Sequence, residues 1–102
     1  MKTAELISRY RAGQRDFRNL NLIAANLRNM NLSGANLSGA NLTKANLTNT
    51  NLSQANLSDA ILTGANLTET NLIRANLTNA NLIQVDLSHA DLRGAILRNV
   101  LK

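Results

Sequence analysis

Cysteine and proline are absent from the sequence, and aromatic side chains are reduced to Tyr10 and Phe17. Without cysteine there is no disulfide framework and no thiolate metal site. Without proline there are no prolyl turns. With two aromatics, a core filled by large irregular side chains is excluded, and leucine and alanine must fill it. The first twenty residues are charged and hold no apolar run long enough for a secretion signal or a membrane span. A cytoplasmic, non-membrane protein is expected on that ground. At 102 residues the chain has the length of one small domain.

Acidic residues are also scarce, six against eleven lysines and arginines, for a formal charge of +5. The excess is uneven. Residues 1–28 hold six basic and two acidic side chains, residues 29–90 two and three, and residues 91–102 three and one. Basic ends flank a nearly neutral middle. This pattern suits solubility charge on the exposed ends of an elongated molecule.

What is present is a five-residue phrase. From Ala35 to Leu57 the chain reads ANLSGANLTKANLTNTNLSQANL. Phe17 is followed by leucine at every fifth position from Leu22 to Leu97, seventeen positions in a row with no insertion. An α-helix turns through about 100° per residue, so leucines five apart would spiral around its whole surface. A long flat strand would present them on alternate faces. Two residues before most of these leucines stands an alanine (25, 35, 40, 45, 55, 60, 65, 75, 80, 90, 95). Residues two apart on a short extended segment share a face, so alanine and leucine point inward and the intervening asparagine outward. The other two residues turn a corner, and the chain coils.

Residues 16 to about 100 resemble the pentapeptide-repeat family, whose phrase is close to A(D/N)LXX. The resemblance implies an all-β solenoid: a right-handed, four-sided parallel β-helix of about four coils, four repeats to the coil. Residues 1–14 are similar to the capping helix of many members, including the Arg15-Asp16-Phe17 entry, and residues 15–102 are then the β-helix. The residues themselves predict an amphipathic helix over about 4–12. Thr3 is its N-cap, Gly13 lies just past its end, and Leu6, Ile7 and Tyr10 share one side. Departures from the phrase are few. Leu20, Met30, Thr50, Thr70 and Val85 replace the small residue, and Ile61 and Ile96 replace the asparagine. With four repeats per coil, residues twenty apart stack. Leu20 and Met30 are then placed to fill space under the cap, and Thr50 and Thr70 to hydrogen-bond along their column.

Nothing in the chain assembles a catalytic, metal or cofactor site. His89 is the only histidine. Glu69, one coil below, is its expected surface partner, and Asp86 and Asp91 are near in sequence. A base without nucleophile, oxyanion donors or pocket is not an enzyme site, and one imidazole is too little for a metal. The asparagines are expected to hydrogen-bond along the stacked turns and to satisfy backbone groups. Files of Thr43/Thr63 and Thr48/Thr68 are interrupted by Ile23, Ile83 and Arg28, which argues against an ice-binding array.

A rigid protein-interaction or scaffold module is therefore the expected function, with a protein partner. Its expected surface comprises Ile61, Ile73 and Ile83, read as pointing outward around two adjacent faces. It also takes in the C-terminal residues Arg93, Ile96, Arg98, Val100 and Leu101, where an uncapped coil with free strand edges invites an end-to-end homodimer. Some family members protect gyrase by resembling DNA in shape and negative charge, and +5 removes that basis. Nucleic-acid binding through the basic ends lacks stacking aromatics and is not expected.

Overall fold

The computed structural model describes all residues 1–102. One helix, α1 (Thr3–Arg11), precedes a solenoid with no other helix. Its N-cap is Lys2, with no side-chain capping bond, so Thr3 is the first helical residue and not the cap. Gly13 ends it as expected, at φ +99°, its N–H donating to the Tyr10 carbonyl.

From Asp16 onward, parallel β-bridges join residues twenty apart, Asp16 to Asn36 through Asn81 to Leu101. Repeats of five and bridges of twenty make four sides. Sides 1 to 4 are taken as the repeats centred on Phe17, Leu22, Leu27 and Leu32 and those stacked on each. The molecule measures 33 × 24 × 22 Å.

A repeat of the middle coils that keeps its asparagine accounts for all five of its backbone N–H groups, as buried backbone must. In residues 40–44, Ala40 donates to the Leu37 carbonyl across the corner. Asn41 donates back to Leu20, and Leu42 and Lys44 donate forward to Ile61 and Thr63 in the next coil. The remaining N–H, of Thr43, is taken by the Asn41 side-chain oxygen at 3.1 Å. The asparagines thus bond within their own repeat, two residues on, and the expected bonding along the stack is confined to Asn49 and Asn29 at a corner.

The last residue of every repeat except the one that ends at His89 has φ near +60°, the second central position of a type II turn. Glycine takes it at 34, 39, 64 and 94, but so do Ala24, Lys44, Glu69 and Arg74, which carry the strain of a Cβ there.

Every leucine from Leu22 to Leu82 is at most 2% exposed, and the inward alanines from Ala35 to Ala80 are buried with them. Leu6 of α1 is fully buried over the first coil, which closes that end. Tyr10 anchors the helix by donating its hydroxyl to the Ser33 carbonyl, and the Arg15 guanidinium stacks on its ring at 3.7 Å. Leu20 and Met30 are half-buried at this end, and Met30 lines a groove with Ile7 and Tyr10.

Thr50 and Thr70 do not bond to each other. Each donates to a main-chain carbonyl, Leu27 at 2.6 Å and Leu47 at 2.7 Å, because an inward hydroxyl finds the corner carbonyl of the preceding coil nearer than its stacked twin. Thr50→Val removes that donor while keeping the volume. We expect a loss of about 1 kcal/mol in denaturant-derived stability, the usual value of one hydrogen bond.

Candidate functional site

The structure sorts the sequence-predicted surface residues onto different parts of the solenoid. Ile61 (38% exposed) and Ile83 (40%) lie on side 2. Ile73 is half-buried on side 4, the opposite side and not an adjacent one: 73 is twelve residues beyond 61, which is two sides away at five residues per side. Ile96, Arg98, Val100 and Leu101 belong to the C-terminal coil. Arg93 lies on side 4 and is paired to Asp91 at 2.7 Å.

Side 2 also carries a residue that the sequence reading used only as an interruption. Ile23 is 51% exposed, more than Ile61 or Ile83. Stacking at twenty would have revealed it, since 23, 43, 63 and 83 form one column. Along side 2 the outward positions are Asn21, Ile23, Asn41, Thr43, Ile61, Thr63, Asn81 and Ile83, with no charge among them. Lys44 stands at the corner. Of six large apolar side chains exposed in the whole molecule, Ile23, Ile61, Ile83 and Leu101 share this side.

Ile61 has a structural cost. Where asparagine precedes the leucine, its oxygen receives the N–H two residues on. At Ile61 that acceptor is missing, and the Thr63 N–H has no protein partner. The same holds for Ile96 and the Arg98 N–H. Elsewhere the hydroxyl file is internally engaged. The hydroxyls of Thr43, Thr48, Thr68 and Thr78 donate to the asparagine before them, and Ser33 and Ser38 meet Ser53 and Ser58 across coils.

The third side of the last coil departs from the pattern. The bridge between Asn66 and Asp86 is missing, and Glu69 N–H donates to the His89 carbonyl instead of that of Ser88. Val85 stands there where alanine is usual, and His89 leaves the left-handed turn conformation. The expected Glu69–His89 side-chain pair does not form, because the slipped corner joins the two residues through backbone alone. No group of three His, Asp or Glu side chains converges as metal ligands would. A groove of about 340 Å³ beside α1, lined by Ile7, Tyr10, Arg11, Asn29, Met30 and Asn31, holds neither a carboxylate nor a nucleophile–base pair.

The basic ends are partly neutralised within the molecule. Arg9 pairs with Glu5, Arg18 with Asp16 and Arg93 with Asp91. Asp16 and Asp91 are held below the ordinary carboxylate value of 3.8, chiefly by hydrogen bonds from Arg18 and Arg93, and Asp86 by Ser88. Carboxyls lowered in the folded state contribute stability above their unfolded pKa and lose it as pH falls through the folded value. All three are solvent-exposed, so the contribution is small. A melting temperature flat from neutral pH to about 5, falling only below about 4, is the expected result in a pH series by circular dichroism.

Four-sided coils stacked through parallel bridges twenty residues apart define a repeat solenoid. The pentapeptide-repeat model matches eight copies over residues 16–59 and 60–99, and the chain belongs to that family. Among solved structures, a pentapeptide-repeat protein of the Arabidopsis thaliana thylakoid lumen is 34% identical at a TM-score of 0.75, over 79% of this chain and 57% of that one. The chain thus spans little more than half of that relative. A pentapeptide-repeat protein from Nostoc PCC 7120 is 39% identical over 92% of this chain and 74% of its own, at a TM-score of 0.48. HetL of the same strain, involved in heterocyst differentiation regulation, is 37% identical over 98% and 46%, at 0.47. No curated protein matches the sequence. No helix is long and apolar enough to cross a membrane.

Proposed function

We propose that this protein is a non-enzymatic interaction module, a right-handed β-helix acting in the cytoplasm, which docks a protein partner on side 2. The observation that carries this is Ile61. It gives up the asparagine bond that every other complete repeat on its side retains, and places an apolar side chain between Ile23 and Ile83 on an uncharged strip. A residue that weakens its own repeat and adds exposed apolar surface is more readily explained by what it touches than by folding.

Ile61→Asn separates the two roles. It restores the acceptor for Thr63 N–H, so the melting temperature should rise, by roughly 1 kcal/mol of stability. At the same time a partner captured by the intact chain should be lost, as it should be with Ile83→Glu. A stabilised Ile61→Asn variant that still captures the same partner would remove side 2 from the proposal. The charge argues against mimicry of DNA toward gyrase. The internal pairing of Arg9, Arg18 and Arg93 further weakens a nucleic-acid reading.

A further inference from the structure

Each coil is joined to the one before it through its bridge residues. Asn51 shows the pattern. Its N–H donates to the Met30 carbonyl and its own carbonyl accepts from the Leu32 N–H, both at 2.8 Å. Where the chain enters the solenoid, Arg15 and Phe17 give Asn36 the same two bonds. Asn31, one side earlier, has neither. The residues in the corresponding places are Tyr10 and Ala12, and the end of α1 uses their groups. The Tyr10 carbonyl accepts from the Gly13 N–H, and the Ala12 N–H donates to the Ser8 carbonyl. The N–H and the carbonyl of Asn31 are both left without a protein partner. Ser33, two residues on, is completed by the Tyr10 hydroxyl at 2.6 Å in place of a main-chain N–H.

Asn21 and Asn26 leave the same two groups unpaired, but the groove of about 340 Å³ beside α1 lies at Asn31. Its size is at the small end for a ligand site. Ile7, Tyr10 and Met30, all half-buried, give it apolar walls. Arg11 and Asn29 give it polar donors. Arg11 is exposed and forms no ion pair. The Asn29 oxygen is taken by the Asn49 amide at 2.9 Å, which leaves the Asn29 NH2 group free to donate.

Charge selects the occupant. Both acids of residues 1–28, Glu5 and Asp16, are paired to Arg9 and Arg18, whereas Lys2, Arg11 and Arg28 have no carboxylate. An acidic segment is drawn to this end. A phosphate ion would meet the donors but use neither the Asn31 carbonyl nor the apolar walls. An extended peptide uses all three. Its backbone completes the ladder at Asn31, an apolar side chain enters between Ile7, Tyr10 and Met30, and a carboxylate meets Arg11.

We propose that the groove between α1 and side 4 of the first coil binds an extended acidic peptide segment of a partner protein, added as a strand on Asn31. Side 4 is opposite side 2, so this site stands or falls independently of the docking surface there.

The probes are a capped octapeptide of alternating valine and glutamate, the same peptide with lysine for glutamate, and inorganic phosphate. Each is titrated into the 102-residue chain and followed by amide NMR. The glutamate peptide should shift the Asn31 amide and leave that of Asn51, already in its ladder, in place. It should bind at least about tenfold more tightly than the lysine peptide. Arg11→Gln should abolish that preference and Arg11→Glu reverse it, with circular dichroism confirming that α1 keeps its seat. Methylating the backbone nitrogens of the glutamate peptide should remove binding, and Ile83→Glu should leave it unchanged. An Asn31 amide that the glutamate peptide does not move at millimolar concentration, a preference for glutamate that survives Arg11→Glu, or an equal shift produced by phosphate alone would each overturn the proposal.

Discussion

Leu57→Lys should leave the chain without a cooperative melt. Leu57 is fully buried, stacked between Leu37 and Leu77, which are fully buried as well. An ammonium at that site has no carboxylate to meet and no route to water, since Ala55 and Ala75 wall the same inner column. Burying an unpaired charge costs several kcal/mol after relaxation, and the lost leucine adds about 2–5 kcal/mol, against a total stability of about 5–15 for a domain of this size. The effect also spreads, because coils are stabilised mainly by their neighbours and a failed coil divides the stack. Lys44→Ala is the control. Ala24 occupies the same corner one coil earlier at φ 56°, against 58° at Lys44, so alanine is already accommodated there. Circular dichroism melts that coincide for the two variants would be incompatible with the inward placement of Leu57.

Leu6→Asp should produce the second largest change. Leu6 is the only fully buried residue of α1, a nine-residue helix too short to persist without its seat. A carboxylate there detaches the cap at a cost of about 3–5 kcal/mol. It also uncovers the first coil, whose Asn21, Asn26 and Asn31 N–H groups make no backbone bond. Removing the cap should therefore lower the melting temperature, read by circular dichroism, and a variant that melts as the intact chain does would overturn the seating role of Leu6.

The period of five made the interior legible, because only a coil puts Leu37, Leu57 and Leu77 and the alanines before them on one inner wall. The asparagine role was legible in kind but not in direction. Asn41 serves Thr43 inside its own repeat, which depends on corner geometry and not on stacking. The last position of each repeat read as unspecified because glycine, lysine, glutamate and arginine all occur there. The chain nevertheless demands a left-handed conformation at Lys44, Glu69 and Arg74 as at Gly64, and the hydrogen bonds between coils enforce it. Thr50 and Thr70 were placed correctly inward and given the wrong acceptor, since a sequence column shows the stacked twin and hides the corner carbonyl. The slip at Val85–His89 left one small sign, a branched residue at an alanine position. The strip on side 2 was present in the spacing of Ile23 and Ile83, and it went unread because the isoleucines were considered one by one.

The bridges at a constant twenty residues turn sequence position into azimuth. Inserting one coil of twenty residues between Ile23 and Ile61 would lengthen the rod by about 4.8 Å and leave both isoleucines in line. Inserting one repeat of five would rotate everything beyond it by a quarter turn, carrying Ile61 and Ile83 onto the neighbouring side while leucine still stacks on leucine across the insertion. Repeat number counted in fours is thus a dial that sets which exceptions face the same way. It can be turned without touching the core, so proteins of this construction can change what they present to a partner while remaining, in their interior, the same molecule.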